Sequence, residues 1–373
     1  VKVGKKHYRS IWTEPHQKGL VKIIDQRMLP HSFEIAEISS LDQMLMAINS
    51  MSVRGAGLIG AAAAYGMYLA SMELKNLDMK DDGIGLAAEK LKSTRPTALN
   101  LSWAINKMQK ALELPFESME ALQDRALILA EQIATEDAEM CRSIGGYGVP
   151  LIQAIGHLKR GAPVNILTHC NAGWLAFVDY GTALSPVYEA HKMGIDVHIW
   201  VDETRPRNQG ASLTAWELNE QDVAHTIIAD NTGGHLMQHG MVDIVLVGAD
   251  RCSRRGGVAN KIGTYLKALA AFDNQIPFYV ALPSSTIDWQ ICNGINDIPI
   301  ETRSEEEIKY ISGKDKNGNI NKVLLCPEDS LALNYGFDVT PARLISGLIT
   351  ERGICKATEH GLLELFPEQK RYG

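Results

Sequence analysis

Paired cysteines are missing from this chain, and their absence removes two classes of protein at once. The six cysteines, Cys141, Cys170, Cys252, Cys292, Cys326 and Cys355, are scattered through 373 residues with no CxxC pair and no Cys/His cluster, so neither a disulfide scaffold nor a zinc site is expected. Long apolar runs are missing too. No stretch approaches the roughly 20 residues that span a bilayer, and the opening VKVGKKHYRSIWTE has no secretory apolar core. A soluble, cytoplasmic protein with no membrane partner is the expectation. There is no surplus of Lys and Arg: the formal net charge is -7, which argues against nucleic acid as a partner because phosphate backbones are bound by excess positive charge. A small anionic substrate in a local basic pocket remains compatible with that balance. RGAGLIG, Arg54 to Gly60, lacks the GxGxxG spacing of a dinucleotide turn and the G-K-[ST] ending of a P-loop, and no GxSxG elbow for a serine hydrolase is present.

What is present is an alternation. From SIGGYGVPLI onward, strand-like and helix-like segments succeed one another: VNILTHC, a helix to His191, DVHIWVDE, a helix near Ala215, HTIIAD, GHLMQHG, DIVLVGAD, a helix around Leu266, and FYVALP. Such alternation predicts βαβ units and a doubly wound, mostly parallel sheet with helices on both faces. The region before it reads as short strands, HYRSIWTE and GLVKIIDQRML, followed by helices over Ser40 to Asn49, through MSVRGAGLIGAAAAYGMYLA, and over Met119 to Arg142. An α/β protein of two domains is therefore expected, with a smaller strand-plus-helical unit over 1–148 and a Rossmann-like unit over 149–373. KDKNGNINK around Gly318 reads as a solvated surface loop.

Two of the apolar runs end on chemically capable residues, Cys170 and Asp250. Ligands of open α/β sheets sit beyond the carboxyl ends of the strands, which puts a thiol and a carboxylate where a shared site would be. Cys170 precedes Asn171-Ala172-Gly173 and then an expected helix, and a thiol at a helix N-terminus has a lowered pKa. A carboxylate at a buried strand end is either a structural cap or an acid/base, and spacing alone leaves both open. Arg54, beside glycines and a helix N-terminus, and Arg95, before Pro96, are candidates for holding a phosphate. Asp202 to Leu218, with Arg205, Gln209 and Thr214, reads as pocket lining at the end of DVHIWV, or as a capped surface loop. In GADRCSRRGGVANKIGTY, Gly256 and Gly257 permit a tight loop, and Asn260 and Lys261 suit an anionic group.

Taken together, RGAGLIGAAAAYGM, RPTALNLSWAI, ILTHCNAG, YGTAL, VDETRPRNQGASLTAWEL, DNTGGHLM, VGADR, GVANKIGTY, FYVALPSSTID and FDVTPARLISGLITERG resemble the methylthioribose-1-phosphate isomerase family, over about Arg54 to Gly353 and in the expected order. The resemblance implies an aldose–ketose isomerase that turns a 5-substituted ribose 1-phosphate into the matching ribulose 1-phosphate. It implies Cys170 and Asp250 as the catalytic pair. It also implies that Arg54, Arg95, Gln209, Asn260 and Lys261 hold the phosphate, with backbone contacts from Gly55 and Ala56. A homodimer is implied as well, and no metal or nicotinamide is needed by the reaction. The superfamily includes ribose-1,5-bisphosphate isomerases and the regulatory alpha, beta and delta subunits of the exchange factor for translation initiation factor two. Those subunits are not expected to keep the cysteine and aspartate together; both are here, which favours an enzyme.

The chain departs from the family's pattern at three places. Gly57 and Leu58 stand where RGAPAIG has proline and alanine, Ala172 and Trp174 stand in and after the CNTG motif, and Arg254, Arg255, Gly256 and Gly257 replace an Asn-Gly-Asp turn. Trp174 is expected to narrow the space for the 5-substituent, favouring methylthio or 5-deoxy. The two arginines would favour a bisphosphate, unless they are solvated loop residues. 5-Methylthioribose 1-phosphate or 5-deoxyribose 1-phosphate is the expected substrate, ahead of ribose 1,5-bisphosphate.

Overall fold

A computed structural model describes residues 2–74, 83–95 and 98–372. Its centre is a seven-stranded sheet in the order His225–Ile228, Val197–Asp202, Val164–Thr168, Ile244–Val247, Phe278–Ala281, Gly347–Thr350 and Gly353–Cys355. All neighbours are parallel except the last pair. Numbered along the chain, the parallel strands lie 3-2-1-4-5-6, so the order reverses between Val164–Thr168 and Ile244–Val247. The register Ile166↔Ile244 and Leu167↔Val245 brings the two carboxyl ends level. These strands are almost wholly buried, as expected for a parallel sheet covered on both faces.

A second sheet of four strands, Ile287–Asp288, Arg251–Ser253, Val258–Lys261 and Phe337–Thr340, is built from segments beyond Asp250. The GADRCSRRGG stretch thus forms a tight antiparallel pair, Cys252↔Val258, rather than a free loop. The segment around Gly318 is likewise the tip of an antiparallel hairpin, Tyr310–Lys314 with Ile320–Leu324, whose second strand is exposed throughout.

The N-terminal part packs a three-stranded antiparallel sheet, Ile11–Thr13, Val21–Ile24 and Ile35–Ile38, against helices Leu41–Asn49, Ala56–Glu73, Gly83–Thr94 and Leu99–Leu112. Ser40 caps the first helix, accepting from the Gln43 N–H at 3.2 Å. Helix Ala56–Glu73 is buried from Ala56 to Ser71, and its run of Gly and Ala lets its neighbours close in on every side.

Gly148, where the sequence suggests a boundary, lies inside a single helix, Met119–Leu158. At 40 residues and 1.5 Å per residue it runs about 60 Å. The hydrophobic cores change along it: residues to Ala138 belong to the N-terminal core, whereas Ile144 and Ile152 join the core under the large sheet. The glycines near that point serve close packing. A Cβ at Gly145 or Gly148 would run into Ser185 or Pro186 of helix Ser185–Lys192. Among the described residues no helix is long and apolar enough to cross a membrane.

Candidate active site

The reversal point of the sheet carries a cavity, as open α/β sheets lead one to expect. Its lining includes Arg54, Gly55, Ala56, Arg95, Cys170, Gln209, Asp250, Asn260 and Lys261, so the nine residues that the resemblance implies for the site are brought to one place, while Arg205 and Thr214 do not line it. His169, Asn171, Ala172, Ala176, Phe177, Met51 and Phe337 complete much of the wall.

Cys170 sits two residues beyond its strand with a left-handed backbone, φ 65°, uncommon for a residue with a Cβ. Side chains from the strand-to-helix segment after Asp202 hold it there. Its N–H donates to Thr204 Oγ1 at 2.8 Å, and its carbonyl accepts from Thr214 Oγ1 at 2.7 Å. The expected helix N-terminus is not behind it: a short loop and one 3-10 turn, Trp174–Ala176, intervene before the next helix at Ser185. The thiol is accordingly not lowered by a helix. Burial pushes it up, against the pull of Arg54 first and Lys261 second.

Asp250 lies three residues past Val247, its N–H donating to the Ala259 carbonyl at 2.9 Å. Burial pushes its carboxyl up as well, opposed by Lys261, Arg95 and Arg54. Lys261 and Asn260 come from the second sheet, where they pair in register with Phe337 and Asp338. Burial pushes the Lys261 ammonium down, opposed chiefly by Cys170 and Asp250. Desolvated cations thus stand in the cavity beside Asp250, a setting in which an anion is strongly attracted.

Gly55 is the N-cap and Ala56 the first residue of the long buried helix, whose free N–H groups suit a phosphate. The Arg54 guanidinium donates to the Asn171 carbonyl and to its Oδ1. Arg95 pairs with Glu301 at 3.3 Å, and Glu301 is shared with Arg303. Arg54 Nε, Arg95 Nε and Gln209 Oε1 are buried and have no hydrogen-bond partner among the described residues. Unmatched polar atoms converging on one cavity are a feature of ligand sites.

Trp174, Arg254 and Arg255, the departures singled out for substrate choice, all lie off the cavity wall. Trp174 does not face the cavity; it is buried beneath it with its ring 6.1 Å from Trp216, and the same loop presents Ala172, Ala176 and Phe177 instead. Arg254 pairs with Glu359, and Arg255 is largely exposed beside the same carboxylate. Neither arginine lines the cavity, so neither supports a second substrate phosphate.

Sequence reasoning missed the residues behind the site. His169 is buried: its Nε2 donates to the Ile262 carbonyl at 2.8 Å, and its Nδ1 meets Asp202 Oδ2 at 2.8 Å. His169, Asp202 and Asp230 lie close enough to hold a metal ion. Lys267 Nζ lies 3.3 Å from Asp202 Oδ2, and the Thr204 and Arg205 N–H groups donate to Asp230, while Asp202 Oδ1 has no partner among the described residues. A wider cavity adjoins the site and shares Met51, Arg54 and Gln209 with it.

Residues 52–357 match the model of the initiation factor 2 subunit family. The chain is 54% identical over 369 residues to a methylthioribose-1-phosphate isomerase of Desulfatibacillum aliphaticivorans, covering 99% of this chain and 100% of the relative. It is likewise 54% identical over 370 residues to the enzyme of the same name from Paramagnetospirillum magneticum, with 99% and 100% covered. Among solved structures, the 5-methylthioribose 1-phosphate isomerase of Pyrococcus horikoshii OT3 superposes with a TM-score of 0.82 at 39% identity, covering 97% of each chain. A protein described as translation initiation factor eIF-2B subunit delta from A. fulgidus superposes with 0.79 at 38% identity, covering 97% of this chain and 100% of that one.

Proposed function

The chain belongs to the initiation factor 2 subunit family, and we propose that within it the protein is an enzyme, an aldose–ketose isomerase converting 5-methylthioribose 1-phosphate to 5-methylthioribulose 1-phosphate. The observation that carries this reading is a thiol and a carboxyl at the two carboxyl ends flanking the sheet's reversal point, lining one cavity with Arg54 and Lys261. Full-length relatives at 52–54% identity bear the isomerase's name.

The chemistry suits the groups present. Phosphate on the anomeric oxygen prevents spontaneous opening of the sugar ring. The C1–O4 bond must therefore break as O4 takes a proton, which Asp250, its carboxyl pushed toward the protonated form by burial, supplies. Cys170 as thiolate takes a proton at C2. If that proton comes from carbon, an enol forms across C1 and C2, and the sulfur returns a proton to C1. If it comes from the hydroxyl, hydrogen shifts from C2 to C1 with its electron pair. In both cases C2 becomes the ketone and O4 the free hydroxyl, and the proton that returns to Asp250 is that of the C2 hydroxyl, passed directly in the enol route and through the Cys170 thiol in the hydride route. Arg54, Arg95, Gln209, Asn260 and Lys261, with the N–H groups of Gly55 and Ala56, hold the phosphate.

In this reading residues 1–148 supply Arg54, Gly55, Ala56 and Arg95, and residues 149–373 supply the catalytic pair and the remaining contacts. The two units are joined by a continuous helix. The resemblance also supports cytoplasmic methionine salvage as the setting and a homodimer as the assembly; a solution mass of one chain, 41.0 kDa, would count against the dimer. The loss of Arg254 and Arg255 from the cavity wall leaves the single-phosphate substrates favoured over ribose 1,5-bisphosphate.

The test is turnover of 5-methylthioribose 1-phosphate, 5-deoxyribose 1-phosphate and ribose 1,5-bisphosphate by the parent, Cys170→Ala and Asp250→Asn. The methylthio substrate should be converted with the highest kcat/KM, and each substitution should slow it at least about a hundredfold. Neither substitution slowing turnover would refute the catalytic pair. Inactivity on all three sugars with tight binding to an initiation-factor partner would favour a regulatory subunit.

A further inference from the structure

Arg54 is an unusual cation. It is only 7% exposed, and burial pushes its guanidinium down, yet what its Nη atoms grip is an amide. Nη2 donates to Asn171 Oδ1 at 2.5 Å and to the Asn171 carbonyl at 3.1 Å. The other end of that amide explains the choice. Asn171 Nδ2 donates to Glu217 Oε1 at 2.9 Å and to Thr214 Oγ1 at 3.2 Å. A guanidinium can only donate and a carboxylate only accept, so the amide has one permitted orientation between them.

Glu217 is itself fully buried and saturated. Oε1 also accepts from the Leu175 N–H at 2.9 Å, and Oε2 accepts from the Trp174 N–H at 3.0 Å and from Tyr188 OH at 2.8 Å. Burial pushes the carboxyl up, while Asn171, Leu175, Tyr188 and Arg54 hold it down. Three of its four partners are N–H groups that can only donate, so both carboxyl oxygens act as acceptors. The counter-charge of Arg54 is thus delivered through an intervening amide, which leaves Nε without a partner among the described residues.

We propose that Glu217 is a positioning residue for phosphate binding: acting through the Asn171 amide, it fixes the aim of Arg54 into the cavity. This rests on the reading of Arg54 as a phosphate ligand. Replacing the carboxylate by an amide lifts the constraint. In Glu217→Gln the new NH2 group turns either toward Asn171, flipping the Asn171 donor onto Arg54, or toward the Trp174 N–H.

The experiment uses the full-length protein, with inorganic phosphate as a competitive inhibitor to probe the anion subsite alone. Parent, Arg54→Met, Glu217→Gln, Asn171→Ala and the Arg54→Met/Glu217→Gln double variant are compared. Glu217→Gln and Asn171→Ala should each weaken phosphate inhibition about tenfold, in the range for a lost charge-assisted hydrogen bond, and raise the KM for the sugar phosphate in step. In the Arg54→Met background, Glu217→Gln should add less than about twofold, since its effect runs through the side chain already removed. If Glu217→Gln does not fold, Asn171→Ala carries the test, because it breaks the link while leaving Glu217 and Arg54 in place. Unchanged phosphate inhibition in either folded variant, or a double variant whose loss equals the product of the singles, overturns the proposal. Unchanged inhibition in Arg54→Met would instead overturn the phosphate role of Arg54 itself.

Discussion

At the scale of single residues, the cavity holds groups whose charged forms are disfavoured by burial, and each offsets another. Cys170 is the case with the clearest consequence. A thiol at a helix N-terminus would be more acidic than usual; this one is less so, because burial outweighs the pull of Arg54 and Lys261. The pH profile of Cys170 alkylation by iodoacetamide, followed by mass spectrometry of its peptide, should have a midpoint above that of an ordinary exposed thiol. Arg54→Met should move the midpoint further up, since Arg54 is the largest group holding the thiol down. A midpoint below the ordinary thiol value, or a downward move in Arg54→Met, would contradict this. Cys170 and Asp250 were legible in the sequence because strand ends are marked by where apolar runs stop. Glu217 was not: it lies in a helix, within AWEL, and nothing in local spacing reveals that its carboxylate reaches back to Asn171 and the Trp174 N–H.

At the scale of elements, helix Met119–Leu158 is the part whose reading changed most. Its glycines resemble a linker in sequence because close helix packing and chain flexibility both call for small residues. Only the partner, here Ser185 and Pro186, distinguishes the two. The same helix buries Asp137, whose Oδ2 accepts from the Val178 N–H at 2.8 Å. Asp137 and Phe177 fill the space where a Cβ at Gly57 would lie, so the proline expected there by resemblance would collide with them. Burial pushes the Asp137 carboxyl up to about 7. Because the folded value lies above the unfolded one near 4, the fold favours the protonated form. That contribution is complete below about pH 4 and is lost as pH rises to about 7, amounting at most to about 4 kcal/mol. Asp137→Asn keeps an acceptor for Val178 and removes the titration. The variant should melt higher than the parent at pH 8, with a smaller difference at pH 5. An equal difference at both values would show that Asp137 does not titrate between folded and unfolded states.

At the scale of the whole molecule, the doubly wound sheet could be read from the alternation of apolar runs, and its reversal point then located the site. The long-range partners could not be read in the same way. The second sheet pairs Val258–Lys261 with Phe337–Thr340 across some 75 residues of sequence, and this pairing sets Phe337 beside Lys261 in the cavity wall. The cavity it completes draws its cations from both ends of the chain. Arg54 and Arg95 come from before the long helix, and Lys261 from well after it. An anion bound there bridges the two hydrophobic cores and should stabilise them jointly, by about 2.7 kcal/mol when its concentration is a hundredfold above its dissociation constant. Differential scanning calorimetry with and without inorganic phosphate measures this. The parent should show one transition moving to higher temperature with phosphate, because the shared helix couples the cores. Arg54→Met and Lys261→Met should each lose most of the shift, although their substituted residues lie on opposite sides of the helix in sequence. A shift retained in full by either variant would place the anion elsewhere, and phosphate moving only one of two separate transitions would mean that the ligand rests on one core alone.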